Sequence, residues 1–132
     1  MPFAHSPGAT TLLSNTAGTT TVVGDWFRIH PKLGRLSFHA TLLASSIGAT
    51  ASSSVNIEVS NDGVYPLATK ALTLSLTNTS TTYASDGGVL ASTMDGTWQY
   101  VRANCASLTT STAGSTGNPQ VSVTMGAAWP HD

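Results

Sequence analysis

The stretch SVNIEVSNDGVYPL, residues 54–67, places Val55, Ile57 and Val59 on one side of an extended chain and Asn56, Glu58 and Ser60 on the other. That alternation has the period of a half-buried β-strand. It stops at Asn61-Asp62-Gly63. Asn and Asp tolerate left-handed backbone geometry and Gly enters it without a Cβ clash, so a hairpin tip is predicted there. The strand's polar face is open to a substrate, a sugar, another protein or water.

The same period recurs on both sides of this stretch. In Arg35–Ser45 (RLSFHATLLAS), Leu36, Phe38, Ala40 and Leu42 alternate with Ser37, His39 and Thr41, which predicts a buried Phe38 and an exposed His39. In Lys70–Thr77 the core face is Leu72, Leu74 and Leu76. In Thr97–Leu108 (TWQYVRANCASL), Val101, Ala103 and Cys105 face the core and Tyr100, Arg102 and Asn104 face outward, unless a bulge swaps them. Further strands are expected at Thr10–Leu13, Thr20–Ile29 and Gln120–Gly126. Residues 78–96 read as irregular, interrupted by a short strand at Val89–Ala91, and His30–Gly34, Asp62-Gly63, Asp86-Gly87 and Asp95-Gly96 read as turns.

Seven or eight short strands without helical period predict an all-β fold, an antiparallel β-sandwich or jelly roll whose sheet order the sequence does not reveal. The expected core comprises Val55, Ile57, Val59, Leu72, Leu74, Leu76, Val101, Val121 and Val123. At 132 residues the chain suits one domain, 1–132, with 1–19 a candidate N-terminal arm and 126–132 a C-terminal tail.

Composition narrows the function classes. Only 8% of residues are charged, against roughly 25% in an average soluble domain. Polarity rests on 17 Ser and 21 Thr. A disordered tail is disfavoured, because the net charge is only −1 and β-branched and aromatic residues recur throughout. A charge-poor surface costs less to desolvate, which suits lateral contact in an assembly. Five Lys and Arg against six Asp and Glu leave no basic stripe for nucleic acid. No apolar run is long enough to span a membrane, and MPFAHSPGATTLLSN lacks the features of a secretion signal.

No catalytic motif stands out. The histidines at 5, 30, 39 and 131 form no ligand-spaced pair, and no calcium-type acidic loop is present, so no metal, no cofactor and no enzymatic activity are expected. The single Cys105 reads as an inert core thiol. Trp26, Tyr65, Tyr83, Trp98, Tyr100 and Trp129 are the remaining lead, as core or interface anchors or as sugar-stacking rings. Phe3, His5 and Trp129, near the two ends, are the candidate interface residues.

Three segments, VNIEVSNDGVYPL, GTWQYVRANCASLT and VSVTMG, occur in an order that resembles small tailed-bacteriophage virion proteins. The resemblance covers much of the second half of the chain. It implies a capsid decoration (cement) protein, made in the host cytoplasm and located on the virion, that docks on the major capsid protein as a homo-oligomer, with a trimer favoured. It equally accommodates a tail or head-fibre adhesion protein with a carbohydrate-binding β-sandwich, for which Tyr65, Tyr83 and Trp98 would carry the glycan.

Overall fold

The computed structural model describes residues 8–15, 21–29, 36–43, 50–79, 83–89, 98–110 and 119–127. They are all-β, in nine strands: β1 (Gly8–Asn15), β2 (Val22–Val23), β3 (Phe27–Arg28), β4 (Leu36–Leu43), β5 (Thr50–Ser60), β6 (Leu72–Thr79), β7 (Tyr83–Val89), β8 (Tyr100–Thr110) and β9 (Gln120–Ala127). Two antiparallel sheets pack as a sandwich. One is ordered β1-β9-β4-β7 and the other β2-β8-β5-β6, with β3 pairing further along β8.

Taking β2 and β3 as one interrupted strand, successive strands cross from one sheet to the other everywhere except at β5–β6. Eight strands wound in this way form a jelly roll. Each sheet turns one apolar face inward, and the alternation seen in the sequence becomes burial. Ala51, Val55, Ile57 and Val59 of β5, Leu74 and Leu76 of β6, Val101, Ala103 and Cys105 of β8, and Val121 and Val123 of β9 are all buried. Phe38, Ala40 and Leu42 meet them from β4, while His39 is exposed. Leu72 is only partly buried, packed against the edge of the core.

Two bulges tune these faces. The β5–β8 register passes from Ser54↔Ser107 to Val55↔Cys105, leaving Ala106 as the extra residue. The bulge falls after Cys105, so residues 100–105 keep their expected sides and Leu108 returns to the core. In β1, Leu12 is the extra residue opposite β9, and both Leu12 and Leu13 are buried.

Three local expectations are corrected. The strand expected over Thr20–Ile29 is split. Val22 and Val23 pair with Cys105 and Asn104, Phe27 and Arg28 pair with Val101 and Tyr100, and the chain departs from regular pairing between them. The cause is a close crossing. A Cβ on Gly24 would lie 2.7 Å from the Leu12 carbonyl oxygen and 3.0 Å from that of Ala103, while the Gly24 N–H donates to the same Ala103 oxygen at 2.8 Å. Backbone from both sheets meets there, so Gly24→Ala is expected to lower stability by about 1–3 kcal/mol in urea unfolding, as overpacking does elsewhere.

The region read as irregular contains β7, and Asp86-Gly87 lies within that strand rather than in a turn. β7 runs along β4, with His39 opposite Gly87 and Ala40 opposite Asp86. Its inward positions, Ala84, Asp86 and Gly88, carry no large apolar side chain, so the sequence shows no core stripe. The glycines answer to tight packing: a Cβ on Gly87 would sit 2.9 Å from the Phe38 carbonyl oxygen, and one on Gly88 3.3 Å from Leu72. Asp86 accepts from the Ser75 N–H at 3.0 Å and thereby ties the exposed edge of β6 to β7. Such a tie blunts two sheet edges at once. Finally, β5 begins at Thr50, four residues before the stretch that first marked it.

Candidate functional site and interaction surfaces

The outer face of the four-stranded sheet is built from registered rows. Thr11, Thr124, His39 and Gly87 stand side by side across β1, β9, β4 and β7, followed by Ser14, Ser122, Thr41 and Ser85. Gln120, Leu43 and Tyr83 close the array at one end, where Leu43 and Tyr83 are exposed. Among the described residues this face presents hydroxyls, one imidazole and the exposed Leu43, Tyr83 and Val89, without Asp, Glu, Lys or Arg. Cross-strand hydroxyl rows of this kind form because Thr and Ser suit the pleated surface and tolerate water or a partner equally.

The outer face of the other sheet begins the same way. Thr109, Ser52 and Thr77 form one row, Ser107, Ser54 and Ser75 the next, and Asn104, Asn56 and Thr73 a third, in which the Thr73 hydroxyl donates to Asn56 Oδ1 at 3.0 Å. The following row departs from the sequence reading. Glu58 and Ser60 point to the polar side yet are buried. The Glu58 carboxylate receives Arg102 Nε at 2.6 Å on one oxygen and Lys70 Nζ at 2.9 Å on the other, with Asn104 Nδ2 at 3.4 Å. The Arg102 guanidinium in turn lies over the Trp26 ring, 4.4 Å from its centre. Trp26 sits in the break between β2 and β3, which brings it over β8.

Burial on its own would push the Glu58 carboxyl up. Hydrogen bonds from Lys70, Arg102 and Asn104, together with the Arg102 charge, outweigh it and hold the group below its ordinary value. Alternation in the sequence marks Glu58 as outward, and outward it is. What alternation misses is the cover of Arg102 and Lys70 over it, with Trp26 stacked on Arg102, drawn from three other parts of the chain.

The predicted hairpin tip is present at the end of β5. Asp62 Oδ1 accepts the N–H groups of Val64 at 2.8 Å and Tyr65 at 2.9 Å and the Ser60 hydroxyl at 2.8 Å. Ser60 Oγ accepts the N–H groups of Asp62 and Gly63, both at 3.2 Å. Gly63 has φ +69°, and the space where its Cβ would stand is 3.3 Å from the Tyr100 ring. The tip is fastened to β8 by the Gln99 N–H, which donates to Asn61 Oδ1 at 3.2 Å. Beyond it the chain runs back along β5, with Leu67 N–H on the Val59 carbonyl and Ala71 N–H on that of Ile57.

The N–H groups of Tyr65 and Val64, then the Ser60 hydroxyl, hold the Asp62 carboxyl below its ordinary value. The Val64 and Tyr65 amide proton shifts are therefore expected to titrate together, with a midpoint below the model-peptide value of about 3.9, in an NMR pH series. Titration at or above that value would mean that the carboxylate does not organise the tip.

A shallow depression of about 290 Å³ adjoins the tip, lined by Asn61, Asp62, Tyr65, Pro66, Leu67 and Trp98. The structure therefore brings together Tyr65 and Trp98 of the three proposed sugar-stacking rings. Tyr83 stands elsewhere, on the edge strand of the opposite sheet. Cys105 is fully buried, near Ser53 Oγ at 3.6 Å and the Ser107 carbonyl at 3.5 Å. Phe3, His5 and Trp129 lie outside the described residues, as do His30, His131 and Asp95-Gly96. Among the described residues no three His, Cys, Asp or Glu side chains converge as metal ligands would.

Strand order and faces together define a jelly-roll domain with two hydroxyl-rich outer surfaces. No family model and no curated protein matches the sequence. Similar solved structures include that of the infectious bursal disease virus Gx strain, at TM-score 0.45 and 13% identity, and the crystal structure of the infectious bursal disease virus VP2 subviral particle, at TM-score 0.42 and 12% identity. Each match covers 94% of this chain and 30% of the other, so this chain spans less than a third of those proteins.

Proposed function

We propose that this chain is a non-enzymatic decoration (cement) protein of a tailed bacteriophage, which docks on the outer surface of the major capsid protein lattice and stabilises the head. The observation that carries the reading is the outer face of the four-stranded sheet. Its uncharged rows, free of Asp, Glu, Lys and Arg among the described residues, are what an interface needs where charge would cost desolvation. The resemblance of the 55–67, 96–109 and 121–126 segments to small phage virion proteins supports the same reading. A trimer repeated over a lattice multiplies modest contacts, so a surface without strong anchors holds through multivalency. Phe3, His5 and Trp129 are the proposed terminal anchors.

The test combines oligomeric mass with co-sedimentation on undecorated shells of the same virus. The expected result is a trimer that saturates the shell at a fixed ratio and raises the shell's melting temperature, as any ligand of the assembled state does. Thr41→Lys puts a charge in the middle of the face. It is expected to weaken shell binding by about tenfold or more while changing the domain's own stability by no more than about 0.5 kcal/mol. A monomer that ignores shells would overturn the proposal and favour the fibre reading.

A further inference from the structure

The hairpin end of the sandwich carries a feature that shell docking does not require. Tyr65 is 76% exposed and its neighbour Val64 60%, so the tip presents an apolar patch beside the depression. Tyr65 is also held in place. Its N–H and that of Val64 are fixed on Asp62 Oδ1, and Pro66 follows directly, restricting the backbone on the far side. Trp98, half-buried and packed against the core, lines the same depression together with Pro66 and Leu67.

The polar groups at its rim are paired on one side only. Asp62 spends Oδ1 on the tip, and Asn61 spends its carbonyl oxygen on the Gln99 N–H. Among the described residues Asp62 Oδ2 and Asn61 Nδ2 remain as one acceptor and one donor, on adjacent residues that both line the depression.

We propose that this depression binds one ring of a neutral saccharide, with the pyranose C–H face on Tyr65 and adjacent hydroxyls donating to Asp62 Oδ2 and accepting from Asn61 Nδ2. A sugar matches both halves of the site, an apolar face and vicinal groups that donate as well as accept. At about 290 Å³ the space falls at the small end of ligand pockets, so it admits one ring rather than a folded peptide. The rigid tip keeps the ordering cost low. An anionic ligand is disfavoured by the Asp62 charge. A cationic peptide would find a single carboxylate, because Glu58 is already engaged by Lys70 and Arg102. The site does not depend on the shell-docking reading, since it lies at the hairpin end and not on the four-stranded sheet.

The test is an amide NMR titration of the whole chain with D-glucose, D-galactose and N-acetyl-D-glucosamine and their β-linked disaccharides, up to about 50 mM, the range of single-ring affinities. Saturable shifts at Gly63, Val64, Tyr65 and Gln99 are expected with at least one of them. Tyr65→Ala should weaken binding by about tenfold, the loss of one aromatic contact, while Tyr65→Phe and Tyr83→Ala keep it. Because Tyr65 is exposed, an unchanged melting temperature will separate lost binding from lost fold. No saturable shift with any of these sugars overturns the proposal. So does a response to triarginine peptide in their place, or equal weakening by Tyr83→Ala.

Discussion

Arg102→Ala is expected to lower the stability of the domain by about 3 kcal/mol, the lower end of the 3–5 kcal/mol seen when one partner of a buried ion pair is removed. The guanidinium supplies the shortest contact to the Glu58 carboxylate, whose side chain is only 2% exposed. Taking it away leaves a buried negative charge facing Lys70 alone, and Lys70 is the more exposed of the two cations. The lower figure reflects that remaining partner. Urea unfolding at pH 7 measures the loss. Replacing Glu58 and Arg102 together by leucine should recover most of it, because two apolar side chains leave no charge to desolvate. If the single variant loses less than about 0.5 kcal/mol, the cluster is a solvated surface pair.

The same cluster sets an acid limit. The folded pKa of Glu58 lies below its unfolded value, so its contribution is fully present above the unfolded carboxylate value of about 4.3. As pH falls, the unfolded chain takes up the proton first, and the contribution is gone once pH has passed through the folded pKa. Glu58→Gln should therefore flatten the fall of the urea midpoint between about pH 5 and pH 3.

Phe38→Ala is expected to cost about 3–5 kcal/mol, the usual range for emptying a buried aromatic site. Phe38 is the largest of the fully enclosed side chains among the described residues and stands on β4, the strand that pairs with both β9 and β7. Its carbonyl also packs beneath Gly87, so the surrounding backbone has little room to collapse into the cavity. Equilibrium unfolding in urea, with an unchanged dependence on denaturant concentration, would place the loss in the folded core. A cost near 1 kcal/mol would mean that the two sheets close over the gap.

What the sequence makes legible is local. Alternation in β4, β5, β6, β8 and β9 has period two, so inward and outward residues can be read without knowing any partner, and Asn61-Asp62-Gly63 announces its turn by its own chemistry. Sheet order depends instead on which strands meet across long loops. Among the described strands, β5 and β6 alone pair as consecutive strands, so only that pairing carries a local signal. β7 stayed hidden because Ala84, Asp86 and Gly88 fill its inward positions, and the break at Gly24 stayed hidden because its cause is the Leu12 carbonyl of a strand in the other sheet. The site was legible in the same uneven way. Tyr65 and Trp98 were singled out as rings, but their meeting at one depression, without Tyr83, follows from β8 lying beside β5.

A domain that decorates a shell through its uncharged sheet face must occupy a fixed position and copy number in intact virions. A cryo-electron microscopy difference map between virions with and without the protein should show trimeric density repeated over the outer capsid surface, in a fixed ratio to the shell subunit and seated on the β1-β9-β4-β7 face. Density confined to the tail or to a few fibres, with an unchanged capsid surface, would contradict it.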